Sequence, residues 1–199
     1  MGAPLLTFDD GPSESTAEIL DLLGGYGVRA TFFVIGFRAE QRSDLVKRAD
    51  DDGHVIGNHT WDHVRLADIL SDAEGEDDFE RRVGVVKLKL QKANDAIAAL
   101  LGAPPTLFRG PWLSVDDRVF SIAETLGLSH MGVDVDTCDY DHRYDADYVA
   151  NAILGAGAGD IVLLHDGTGD ERGGAVNPPR PKTVEALRRA LPKFAERWD

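Results

Sequence analysis

The sequence predicts an α/β fold whose strands and helices alternate in one direction, a distorted or incomplete (β/α) barrel. Three observations lead there. Short apolar runs alternate with segments of helical period, the pattern of parallel α/β architecture. Glycines stand where helical segments stop, at Gly27, Gly53, Gly102 and Gly127, as left-handed caps favour. The length of 199 residues falls below the roughly 250 that a closed eight-stranded barrel takes. It also suits one domain, residues 1–199, with a sizeable core.

The elements follow in order. A strand over 4–8 leads to a helix opened by Ser15-Thr16-Ala17-Glu18, the Ser-x-x-Glu spacing of a capping box, with Ile19, Leu22, Leu23 and Tyr26 supplying its apolar positions. "ATFFVI" over 30–35 is the second strand, followed by a helix over 41–52 and a strand over 54–57. A polar loop over 71–78 precedes the longest helix, 77–101, which Gly84 weakens. Then come a strand over 106–109, a helix over 116–126 and a strand over 128–135. A helix over 147–154, a strand over 160–165, a polar loop over 167–181 and a helix over 182–198 finish the chain.

Composition narrows the function. A formal charge of −14 argues against a nucleic-acid partner, because affinity for phosphates comes from basic surface. No apolar run reaches the length of about 18 residues that a membrane span needs. The single cysteine, Cys138, has no partner for an internal disulfide. The first residues lack a basic segment followed by a long apolar stretch, so the expectation is a cytoplasmic protein or a trimmed secreted or wall-associated domain, acting as a monomer.

In a parallel barrel the reactive residues gather where strands end, because every βα loop opens on that face. Asp9 and Asp10 follow the first strand, Asn58 to His63 the third, Arg109 to Trp112 the fourth, Asp136 to Tyr140 the fifth, and His165-Asp166 the last. His59 and His63 are four apart, so one helical turn would point both imidazoles the same way. Two histidines and a carboxylate from a neighbouring strand end form a recognised metal-binding face with open positions. Zinc suits those ligands, and cobalt, nickel and iron are compatible with them. In the first motif, "TFDDGP", Asp-Gly-Pro alone reads as a turn, and two adjacent anions require positive charge nearby.

The motifs "TFDDGP", "HTWDH", "RGPW", "DTCDY" and "LLH", in this order over residues 5–166, resemble the polysaccharide deacetylase family, the NodB homology or carbohydrate esterase family 4 domain. The resemblance implies a NodB-type barrel and a metal-dependent hydrolase that removes N-acetyl groups from an amino sugar or its polymer, such as chitin oligomers or peptidoglycan. It implies Asp10, His59 and His63 as metal ligands and Asp9 as base, held by Arg109. It further implies His165 as acid supported by Asp139, with Leu163 near the acetyl methyl and Trp112 and Tyr140 at the sugar. An amidase or O-esterase on a small acylated substrate, or a silent carbohydrate-binding module, are the alternatives. Leu113 stands where the family commonly has glycine and Tyr140 where it has tryptophan, so the rim of the pocket departs from the pattern more than the metal face does.

Other readings of single features are structural. Cys138 reads as packed rather than nucleophilic, and the lysines at 87, 89 and 92 as a solvated helix face. The aspartates at 134, 136, 139 and 141 lack the glycine and glutamate of a calcium loop. "GAGAG" precedes a strand, whereas a dinucleotide fingerprint follows one.

Overall fold

The computed structural model describes residues 2–71, 73–169 and 177–198. The strands are β1 (Leu5–Gly11), β2 (Ala30–Val34), β3 (Val55–Asn58), β4 (Leu107–Phe108), β5 (Ser129–His130), β6 (Val135–Asp136) and β7 (Ile161–His165). They pair in the order β5-β4-β3-β2-β1-β7-β6, all in parallel. β2 is buried along its whole length, as a strand covered on both faces must be.

The sheet has to curl. β5 and β6 are its two opposite edges, yet only residues 131–134 join them. That linker reaches about 18 Å at most, whereas the edges of a flat seven-stranded sheet would lie about 29 Å apart. The result is the distorted, incomplete barrel that the sequence predicts, with a seam that the chain itself crosses. Met131 N–H donates to Phe108 C=O at 2.9 Å on one side of the seam, and Asp134 N–H to Ile161 C=O at 2.9 Å on the other.

Helices cover the outside: α1 (Thr16–Gly25), α2 (Gly36–Gln41), α3 (Ser43–Asp51), α4 (Leu66–Ser71), α5 (Glu76–Leu101), α6 (Asp117–Glu124), α7 (Ala146–Gly155) and α8 (Pro181–Trp198). Alternation sorts β1: Leu6 and Phe8 join the core beneath α1 and α8, while Thr7 and Asp9 face inward. On α5 the stripe Val86, Leu90, Ala93 and Ile97 is buried.

Several expectations are corrected. The strand expected over 128–135 is two strands on opposite edges, because partner choice, which the apolar run does not encode, changes at the seam. The first strand runs on through Asp9, Asp10 and Gly11, so the carboxylates lie within it rather than in a turn. Ser15 makes no side-chain cap; its hydroxyl accepts from Arg180 N–H at 2.6 Å, and Glu18 pairs with Arg188 of α8. Ser13 and Thr16 take over, Ser13 Oγ accepting from Ser15 N–H at 3.0 Å and Thr16 Oγ1 from Ser13 N–H at 2.8 Å. The helices α2 and α4, six residues each, are too short for a period to show. The expected loop over 167–181 falls partly outside the described residues.

Candidate functional site

Adjacent residues on a strand normally point to opposite faces. Asp9 and Asp10 nonetheless line one cavity of about 480 Å³ at the carboxyl end of the sheet. The pairing of β1 with β2 slips between Asp9 and Gly11, and Asp10 takes φ 73°. This bulge turns the second carboxylate to the side already occupied by the first. Arg38 Nη1 and Asn177 Nδ2 hold the turned peptide by donating to Asp10 C=O at 2.8 and 3.0 Å.

The histidines arrive by a tight turn rather than a helical one: Thr60 and His63 have φ of 64° and 56°. Buried Asn58 shapes it. Its Oδ1 accepts from Thr60 N–H at 2.7 Å, and its Nδ2 donates to Leu90 C=O at 2.8 Å and Asn94 Oδ1 at 2.7 Å on α5. Thr60 Oγ1 accepts from His63 N–H at 3.0 Å. Two of the lysines expected to be merely solvated also hold this loop: Lys89 pairs with Asp62, and Lys92 lies 3.7 Å from the centre of the Trp61 ring. Asn58→Ala is therefore expected to cost about 1–3 kcal/mol in urea unfolding by leaving Thr60 N–H unpaired. It should also weaken retention of an added divalent metal ion about 10- to 100-fold in a chelator competition. Unchanged retention in the folded variant would refute this positioning role.

Asp10, His59 and His63 are all buried, with ligand atoms within 4.8 Å of one another. His59 Nδ1 lies 2.8 Å from Arg109 C=O. A carbonyl only accepts, so Nδ1 carries a proton and Nε2 is the ring nitrogen that faces Asp10 Oδ1, 3.2 Å away. His63 Nε2 is 2.8 Å from the same oxygen, and burial lowers its pKa, favouring the neutral ring. Burial alone would raise the Asp10 carboxyl, but the two facing imidazoles hold it well below its usual range. Converging, dehydrated donor atoms of this kind fit a divalent cation.

Arg109 is fully buried and fills the seam from inside. Its Nη1 donates to Asp9 Oδ1 at 2.9 Å and Thr7 Oγ1 at 2.7 Å, its Nε to Met131 C=O at 3.1 Å, and its Nη2 to Gly132 C=O at 2.8 Å. Asp9 thus faces a fixed cation, while its Oδ2 stands 3.9 Å from His59 Nε2.

On β7, His165 Nδ1 lies 2.7 Å from Asp139 Oδ1. Asp139 Oδ2 accepts from His165 N–H at 2.8 Å and Thr183 Oγ1 at 2.7 Å. Burial opposes the imidazolium, but Asp139, with smaller help from Asp10 and Asp9, overcomes it and pushes His165 up to about 9. Burial likewise opposes ionisation of Asp139, and the His165 charge outweighs it, keeping that carboxyl low.

Leu163, Trp112 and Tyr140 line the same cavity. Trp112, 43% exposed, lies 4.1 Å from the His63 ring, centre to centre. Tyr140 meets His165 edge-on at 5.4 Å and donates to Asp136 Oδ2 at 2.9 Å. Eight of the ten expected site residues therefore line one cavity with Leu113, and Arg109 and Asp139 stand behind it, paired with Asp9 and His165. Asp166 does not line the cavity; it is buried, pushed up to about 7 by that burial, and takes the Thr16 hydroxyl. Sequence reasoning missed Arg38, Asn177, Arg65 and Arg180, and placed Asn58 at the end of the third strand without giving it a role. A polar residue directly before His59 was the one available signal, and it pointed to Asn58.

Comparison with known proteins agrees with this geometry. Residues 3–131 match the polysaccharide deacetylase family. A chitin deacetylase from Pestalotiopsis sp is 37% identical over 169 residues, covering 81% of this chain and 52% of that protein. The chain thus spans about half the length of that relative. A chitooligosaccharide deacetylase from Sinorhizobium fredii is 38% identical over 202 residues, covering 98% and 88%. The solved family 4 carbohydrate esterase from Streptomyces lividans, in complex with acetate, superposes with a TM-score of 0.81 at 29% identity, covering 98% of this chain and 89% of that one. With the barrel, the ordered motifs and these matches in agreement, the chain belongs to the polysaccharide deacetylase family.

Proposed function

We propose that residues 1–199 are one deacetylase domain, a metal-dependent hydrolase that removes N-acetyl groups from an N-acetylglucosamine glycan. One observation carries this reading: a buried Asp-His-His cluster opens into the same cavity as an arginine-held aspartate and an aspartate-held histidine.

Asp10, His59 and His63 would hold a divalent ion, zinc suiting them best. When bound, the ion supplies Lewis acidity and lowers the pKa of a water to about 7. Asp9 takes the proton from the attacking water, and Arg109 orients that carboxylate through its hydrogen bond to Oδ1. Trp112 contributes its backbone N–H to the developing oxyanion. An amine leaves only once protonated, and His165, kept charged by Asp139, delivers that proton. Leu163 packs against the acetyl methyl, while Trp112 and Tyr140 flank the sugar.

The test is acetate release by zinc-loaded protein from N-acetylglucosamine oligomers of increasing length. Turnover that rises with length supports the proposal. Release from O-acetyl groups alone would support a second reading, O-deacetylation, favoured by the likeness to a carbohydrate esterase. Binding without release would point to a silent module.

A further inference from the structure

Arg65 stands at the mouth of the cavity, directly before α4, and among the described residues its guanidinium donates no hydrogen bond. Arg180, the other arginine of that lining, donates to Gly167 C=O. Among the described residues the Arg65 guanidinium has one partner, the Trp112 ring, whose centre lies 4.4 Å from its central carbon. The nearby acids are committed elsewhere. Asp62 pairs with Lys89, Asp68 accepts from Ser114 Oγ at 3.2 Å, and Asp136 accepts from Tyr140 Oη and Cys138 N–H, each at 2.9 Å.

A guanidinium held over an aromatic ring keeps its N–H groups for other partners, and two of them can take a carboxylate through parallel hydrogen bonds. The opposite arrangement would be expected of a merely structural arginine in a chain of charge −14, where carboxylates are plentiful. The site of reaction is close: Trp112, which carries Arg65, also packs on His63. A group bound at the guanidinium edge therefore lies about one aromatic ring from the metal face, the reach of a substituent on the same or the adjoining sugar.

We propose that Arg65 is a specificity-determining residue that seats a carboxylate carried by the glycan, so that the preferred substrate is an anionic N-acetylated glycan rather than a neutral one. The inference rests on the deacetylase reading above and names the substrate class for that same site.

The experiment uses zinc-loaded protein and three matched tetramers: N-acetylglucosamine tetramer, the same tetramer with lactyl carboxylates on alternate sugars, and its neutral carboxamide. KM and kcat for acetate release are measured on each. Binding is measured by calorimetry with the de-N-acetylated acid and carboxamide, which cannot turn over. The expected result is about tenfold lower KM and tighter binding for the acid, with kcat alike on all three. Arg65→Gln should erase that preference and leave kinetics on the neutral tetramer unchanged. Equal KM and binding for acid and carboxamide in the wild type would overturn the proposal. So would a preference that survives in Arg65→Gln, or an equal loss on all three substrates. Preferential binding of the acid without release from any tetramer would retain Arg65's role and refute the deacetylase reading.

Discussion

Replacing His59 and His63 together by alanine is expected to abolish zinc retention and to lower acetate release by about 10³-fold or more. Both rings present Nε2 to one buried oxygen of Asp10. With the rings gone, that oxygen faces a void, and one carboxylate cannot hold the ion against dialysis. The metal content of dialysed protein and the initial rate of acetate release are the paired measurements, with circular dichroism confirming the fold. Retained zinc at one ion per chain would show that the ligands lie elsewhere. Full turnover without zinc would remove the metal from the mechanism.

Asp139→Asn is expected to reshape the pH profile. In the wild type the buried His165 ring is held charged up to about 9, with Asp139 the chief cause. Without that anion, burial is opposed only by Asp10 and Asp9, and the ring loses its proton at lower pH. The alkaline limb of kcat/KM should accordingly move down from about 9, and the rate at pH 8 should fall about 10²-fold. Stability follows the same sign. A raised folded-state pKa contributes stability that is fully present below 6.5 and lost as pH rises through about 9. Urea unfolding of the wild type at pH 6 and at pH 9.5 should show this loss, and the variant should not. An unmoved alkaline limb in the variant would detach His165 from proton delivery.

The site was legible in the sequence because strand ends in a parallel barrel share one face, so Asp10, His59, Arg109 and His165 could be brought together from order alone. What could not be read was how each side chain arrives. Adjacent aspartates belong on opposite faces until a left-handed Asp10 turns one over, and the histidine turn depends on Asn58 reaching across to Asn94 of α5. The residues over 128–135 look like one strand because Leu128, Met131, Val133 and Val135 supply apolar positions along the whole stretch. Only the pairing of Ser129 with Leu107 and of Val135 with Val162 reveals two edges. The capping box failed for a similar reason: Ser15 and Glu18 were claimed by Arg180 and Arg188 from the far end of the chain.

The strand order carries a consequence for synthesis. β1 lies between β2 and β7, so the first of these seven strands to be made gains its second neighbour only when the seventh emerges. Until then β1 is an open edge with unpaired backbone groups, a template for wrong partners. Asp10 on β1 and His59 and His63 just beyond β3 flank β2 within the first 63 residues, whereas His165 arrives on β7. The nascent chain thus holds the Asp10, His59 and His63 cluster well before His165. A chain shortened ahead of Ile161 would keep that cluster yet leave the strand bearing Asp9 and Asp10 half-paired.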